Sequence, residues 1–334
     1  MNRDDRRRAD ATVTIIEALV CFSYTSKREE HNQENNAMRT DIAFQATDGT
    51  TLRGWHYKPE NAGKHPTIVM AHGFSAVKEM YLDKYAEVFA KAGFASIVYD
   101  NRNFGASDGQ PRQEIDPWLQ VRDYSDAVTF AQSLPQTDAS RIGIWGSSYS
   151  GAHVLVVAAI DRRVKCAVSQ VPAVSGYNNF RRLVRADMIG PLEALCHADR
   201  INRAAGAAPA MLPVVAEDPA APSALPTADS YKFFTETAAV RAPSWRNEVT
   251  LRTIEYGFGY EPGAYIGLIA PTPLMMIVAV KDHLTVSDLA LAAYENAHEP
   301  KRLVLLPGGH FDAYVEGFEH SSGSACDWFH AHLT

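Results

Sequence analysis

Arg141-Ile142-Gly143-Ile144-Trp145-Gly146-Ser147-Ser148-Tyr149-Ser150-Gly151-Ala152-His153-Val154-Leu155-Val156-Val157-Ala158-Ala159-Ile160 is the stretch that decides the architecture. Arg141–Trp145 carries a short apolar run ended by a glycine, the pattern of a buried strand. Tyr149–Ile160 is largely apolar and long enough for a buried helix. The chain must therefore pass from strand to helix within Gly146-Ser147-Ser148. A serine at the apex of so tight a turn leaves little room beside it, so the positions two before and two after must be small. Ser148 meets this condition through Gly146 and Ser150. Ser147 fails it, having Trp145 two places before, and Ser150 lacks the preceding glycine. The pattern departs from strict Gly-x-Ser-x-Gly only at Ser150. A glycine-serine helix cap is the competing reading of the five residues alone. Strand before and helix after favour Ser148 as a nucleophile.

Outward from this turn, strands and helices alternate. Ile42–Thr47 and Leu52–Lys58 flank Asp48-Gly49 and read as a hairpin. Strands are expected at Thr67–Ala71, Phe94–Tyr99 and Val164–Gln170, and helices at Tyr81–Ala92 and Trp118–Leu134, the latter stopped by Pro135. Residues 172–269 break the pattern. Their Ala/Pro-rich patch Ala204–Pro226 is too long for an ordinary connection and reads as a functional lid or as partly disordered. Helical pieces are expected at Ala228–Val240 and Trp245–Tyr256. Alternation resumes with strand Leu274–Val280, helix Ser287–Ala297, strand Arg302–Leu306 and a last helix across Ala313–His332. Such a chain predicts an α/β class, a mainly parallel sheet with helices on both faces and an inserted lid or cap. Residues 41–171 and 270–334 form the core, 172–269 the cap, and 1–40 a flexible extension.

In such sheets, reactive groups fall beyond the carboxyl ends of the strands. A serine hydroxyl needs a base to take its proton. His310, in Pro307-Gly308-Gly309-His310-Phe311 just past the last strand, is the candidate. His283, His298, His320, His330 and His332 fall on or beside helices. The histidine needs a carboxylate to fix its tautomer. Asp282, two residues past strand Leu274–Val280, is chosen over Asp288, which begins the next helix and suits its N-terminus. No acid occurs in Val171-Pro172-Ala173-Val174. For the oxyanion, the backbone N–H groups of Tyr149 and of Phe74, in His72-Gly73-Phe74, are the expected donors.

The run His72-Gly73-Phe74, then Asp100-Asn101-Arg102-Asn103-Phe104-Gly105-Ala106-Ser107, the serine turn, Asp282 and His310 resembles the α/β-hydrolase superfamily over roughly residues 41–334. The single His-Gly-Phe is similar to dienelactone-hydrolase-like and Xaa-Pro-peptidase-like esterases and differs from the His-Gly-Gly-Gly lipases. Trp245-Arg246-Asn247-Glu248-Val249-Thr250 and Pro271-Thr272-Pro273 also resemble polyketide transferases and hydrolases. The resemblance implies acyl transfer through an acyl-enzyme on an ester or thioester, with Asp100 and Arg102 as structural residues. It leaves hydrolysis and transfer to an acceptor both open. A non-catalytic ligand-binding protein on the same scaffold is the reading from a different class, since fold alone proves no activity.

Composition bounds the partners. The chain has 334 residues, 46% hydrophobic and 21% charged, with a formal net charge of −7. That balance argues against nucleic acid, which requires a basic face. Cys21, Cys166, Cys196 and Cys326 are scattered, without Cys-x-x-Cys spacing, which favours free thiols and a cytoplasmic setting over disulfides or zinc. No His-Glu-x-x-His, P-loop or Gly-x-Gly-x-x-Gly is present, so no metal or cofactor is expected. The partner expected is a small-molecule ester or acyl substrate. Thr12–Tyr24 is the only candidate export signal, but it is short, carries Glu17 and lacks a clear cleavage site. It is also too short to span a membrane. Lys27–Asn36 is polar, and Met38 is an alternative start.

Overall fold

A computed structural model describes residues 39–218 and 220–334. Thr12–Tyr24, Lys27–Asn36 and Met38 lie outside the described residues. The strands are β1 (Arg39–Gln45), β2 (Thr51–Tyr57), β3 (His65–Ala71), β4 (Ala95–Tyr99), β5 (Thr137–Ser147), β6 (Val164–Gln170), β7 (Met211–Leu212), β8 (Val249–Thr250), β9 (Leu274–Ala279) and β10 (Lys301–Leu306). The α-helices are α1 (Leu82–Lys91), α2 (Pro117–Ser133), α3 (Tyr149–Ile160), α4 (Gly176–Leu183), α5 (Ala186–Ala204), α6 (Ala228–Val240), α7 (Leu251–Phe258), α8 (Ser287–Glu295) and α9 (Phe318–Leu333).

Eight strands form one sheet in the order β1-β2-β4-β3-β5-β6-β9-β10. β2 runs antiparallel to β4, and every pair from β4 to β10 is parallel. Covered on both faces, β3, β4 and β9 are buried along their whole length, which is why they read as largely apolar runs without alternation. Alternate residues take opposite faces. Val69, Ile97, Ile144, Ala167 and Met276 join a core with Tyr124 of α2, Leu155 of α3 and Ala290 of α8. On the other face Trp145 meets Tyr85 of α1 at 4.6 Å between rings, and Phe89 meets Phe329 of α9 at 5.6 Å. Burying each such large side chain contributes about 1.5–3 kcal/mol.

The segment between β6 and β9 departs from expectation in detail. It holds α4 and α5, where no helix is expected from the sequence, and the helix expected over Trp245–Tyr256 begins only at Leu251. Val249–Thr250 pairs instead with Met211–Leu212 as a small antiparallel ribbon. The described part of the Ala/Pro-rich patch is held by specific bonds. Asn247 clasps Val215, accepting from its N–H at 2.9 Å and donating to its carbonyl at 3.0 Å. Val214 and Val215 are buried. The bonding side chain lies more than thirty residues away, where local patterning could not reveal it.

Candidate active site

β5 runs directly into α3 through Ser148, whose backbone sits at φ 60° and ψ −118°. This conformation is strained for a residue with a Cβ. Three glycines make the turn possible by close approach. A Cβ on Gly146 would lie 2.3 Å from the Ser150 carbonyl oxygen, and one on Gly151 2.6 Å from that of Gln170. On the facing loop, a Cβ on Gly73 would lie 2.7 Å from Cβ of Ser148. The Ser148 N–H donates to the Gln170 carbonyl at 2.8 Å, tying the turn to the end of β6. Ser147 is buried beneath, where its Oγ receives the Tyr314 hydroxyl at 2.6 Å and Nε2 of Gln170 at 3.2 Å.

Ser150, the position that departs from the glycine pattern, is fully buried, and its hydroxyl donates to the His72 carbonyl. His72 shapes the loop after β3. Its Nδ1 accepts the Gly73 N–H at 2.8 Å and its Nε2 lies 2.7 Å from the Met80 carbonyl, the partners of a neutral ring. Burial pushes its pKa down to about 4 against the pull of the Met80 carbonyl. The Gly73 N–H is thereby engaged within the loop, and Phe74 follows at the wall of the cavity beside Ser148.

Asp282 and His310 come together from the ends of β9 and β10. His310 Nδ1 stands 2.8 Å from Asp282 Oδ2, and both side chains are buried. Asp282 Oδ1 accepts the N–H groups of Leu284 and Thr285 at 2.9 and 2.8 Å. Burial raises the Asp282 pKa, but His310 and these backbone donors outweigh it, and the net shift is downward. Thr285, which no sequence signal marked, puts Oγ1 3.0 Å from Asp282 Oδ2 and 3.1 Å from His310 Nδ1. That Oγ1 also donates to the Val171 carbonyl at 3.0 Å. Asp312 organises the loop carrying His310, since its Oδ2 accepts the Gly309 N–H at 2.7 Å. Any side chain at Gly308 would strike that carboxylate. Asp288 lies on the surface in an ion pair with Arg182 at 2.9 Å. Asp100 and Arg102 are buried in ion pairs with Lys78 and Asp123, at 2.8 and 2.5 Å.

Ser148 borders two cavities. One is lined by residues including Phe180 and Leu183 of α4 and Ile254 and Phe258 of α7. The other is lined by His72, His310, Phe311 and Tyr314 with Phe233 and Phe234 of α6. Phe74, Leu225 and Leu284 border both.

Fold and relatives together place the chain among enzymes of the α/β-hydrolase fold. It belongs to the X-Pro dipeptidyl-peptidase (S15) family, which matches residues 48–312. Among curated relatives, a thiohydrolase of Eupenicillium brefeldianum is 32% identical over 83% of this chain and 88% of its own length. The polyketide transferase grgF of Penicillium sp. is 31% identical over 88% of this chain and 97% of its own. Among solved structures, DcsB in complex with its substrate analogue superposes with a TM-score of 0.80 at 29% identity, covering 89% of this chain and 99% of DcsB. These relatives make the activity of the class hydrolysis or acyl transfer. Among the described residues, no helix is long and apolar enough to cross a membrane.

Proposed function

We propose that this chain is a serine hydrolase of carboxylic esters or thioesters, working through Ser148, His310 and Asp282. The observation that carries the reading is the buried 2.8 Å contact between His310 Nδ1 and Asp282, with His310 and Ser148 in the wall of one cavity. An Nδ1–H held by Asp282 leaves Nε2 as the basic nitrogen. Ser148 Oγ attacks the acyl carbon as Nε2 takes its proton, and Asp282 stabilises the imidazolium that forms. The N–H groups of Phe74 and Tyr149 receive the oxyanion. Collapse breaks the bond to the leaving group, which accepts the proton from Nε2, and leaves Ser148 acylated.

Acyl transfer is the second reading, supported by the polyketide transferase among the relatives. The two differ only in whether water or another nucleophile releases the acyl group. Residues 172–269 serve as the cap that shapes the substrate. A cytoplasmic setting is supported by Cys166, Cys196 and Cys326, which are buried and free. A fluorophosphonate probe tests the nucleophile. It should label the wild type and leave Ser148→Ala unlabelled; equal labelling of both, or of neither, overturns the assignment.

A further inference from the structure

Of the two cavities at Ser148, the one between α4 and α7 has room for a substrate chain. Its volume is about 110 Å³, against about 10 Å³, the space of one water, beside His310. Its wall is mainly apolar, so an unpaired polar atom on it weighs more than it would in water. Ser148 and Tyr149 aside, the polar side chains of that wall are already engaged. Ser175 Oγ accepts the Asn178 N–H at 3.2 Å. Asn179 donates to the Leu284 carbonyl at 2.8 Å and accepts the Val286 N–H at 3.2 Å. Thr253 Oγ1 accepts the Ile115 N–H at 2.9 Å, and Thr285 Oγ1 donates to the Val171 carbonyl at 3.0 Å. Tyr149 is different. Its ring packs edge-on to Phe74 at 5.8 Å and to His153 at 5.2 Å, and tilts against Tyr260 at 5.5 Å. Yet its hydroxyl has no hydrogen bond among the described residues.

Resting on the triad reading above, we propose that the Tyr149 hydroxyl determines specificity by donating to an oxygen borne along the substrate's acyl chain. The substrate class is then an oxygenated acyl ester or thioester, with a keto, hydroxyl or ether oxygen on the chain. Gly257 keeps the hydroxyl within reach. A Cβ there, on the cavity wall, would lie 3.9 Å from Tyr149 Oη and meet nothing else within 4 Å beyond its own helical backbone. The glycine thus leaves the space before the phenol open. Burial raises the Tyr149 pKa, so the phenol holds its proton and serves as a donor. A plain hydrocarbon chain covers this donor without answering it, leaving a polar group desolvated and unpaired. A chain with an oxygen at the right distance restores the bond, and the site prefers it. The backbone N–H of the same residue is the one proposed to receive the oxyanion. Tyr149 would therefore address the substrate twice, the reacting carbonyl through its main chain and the more distant oxygen through its side chain.

The test compares the hexanoyl thioester of N-acetylcysteamine with its 3-, 4- and 5-oxo counterparts, following release of the thiol. It reads kcat/KM for each oxo chain relative to the plain chain. The ratio is taken within each enzyme, so any change common to all the substrates cancels. Tyr149→Phe retains the ring packing and removes only the donor. At one or more oxo positions the ratio should fall about five-fold or more from wild type to this variant, the worth of one neutral hydrogen bond. The intrinsic reactivity of an oxo thioester is the same for both enzymes and cannot produce that fall. A purely structural role for the hydroxyl would move all the substrates together. A ratio unmoved at every oxo position overturns the proposal. Gly257→Ala sets a methyl against the hydroxyl, and carries the same expectation and the same reversal should Tyr149→Phe fail to fold. Failure of Ser148 to label with fluorophosphonate would instead overturn the triad reading beneath it.

Discussion

The hydroxyl of Ser150 donates to the carbonyl of His72, joining the first turn of α3 to the loop after β3. The one position at which the serine turn departs from Gly-x-Ser-x-Gly thus ties together the two backbone segments proposed to cradle the oxyanion. The His72 carbonyl also accepts Nδ2 of Asn101 at 2.8 Å, so it stays partnered without Ser150. Ser150→Ala should cost about 1 kcal/mol in urea unfolding, the net worth of one such bond. Ser150→Gly, though it restores the family pattern, should cost about 1 kcal/mol more through its poorer helix propensity.

Ser148 lies at φ 60° and ψ −118°, a conformation only glycine adopts without strain. Ser148→Gly and Ser148→Ala should both be inactive, yet the glycine variant should unfold later by about 1 kcal/mol or more. Equal thermal midpoints would mean that the turn relaxes once the hydroxyl is gone.

Asp282→Asn keeps the shape of the acid but alters the tautomer of His310, and kcat should fall on the order of 10³–10⁴-fold. Asp288→Asn removes a surface pair whose side chains are 53% and 58% exposed, and should leave kcat unchanged and stability within about 0.5 kcal/mol. Steady-state kinetics of the two variants side by side distinguishes the acids.

His153 sits beneath the serine turn, with Nδ1 2.8 Å from the Tyr260 hydroxyl and Nε2 2.9 Å from Oε1 of Gln120. Burial pushes its pKa down from 6.5 to about 3. In acid the unfolded chain therefore binds a proton that the folded chain refuses. The ring's contribution to stability is complete above pH 6.5 and is lost progressively as pH falls toward 3. Between pH 7 and pH 5 this amounts to about 2 kcal/mol. The stability advantage of wild type over His153→Gln should shrink by that amount over the same interval, measured by urea titration at each pH. A constant difference would show that the ring protonates without unfolding.

The sheet was legible because its strands are buried on both faces and carry their apolar runs in the chain itself. The serine turn, Asp282 and His310 were legible because each falls just past a strand end. Thr285 was not, for a hydroxyl one turn beyond an acid looks like any loop residue until His310 is folded against it. Helices α4 and α5 were hidden for another reason. α4 sets Tyr177, Phe180 and Leu183 at helical spacing but over only eight residues, too short a run to stand out, and α5 buries only Cys196 and Asp199. The link from Ser150 to His72 spans seventy-eight residues and leaves no local trace.

The chain leaves the sheet after β6 and returns at β9, and these two strands are paired, Ala167 beside Leu274 and Gln170 beside Ile277. Everything between them hangs from two adjacent anchor points, with Ser148 on one side of the break and Asp282 and His310 on the other. An exchange of that whole segment between relatives would leave every pairing within the sheet intact. On the proposed reading of residues 172–269 as the cap and of Ser148, Asp282 and His310 as the triad, selectivity can change by replacing the segment while bond-breaking is kept by its frame.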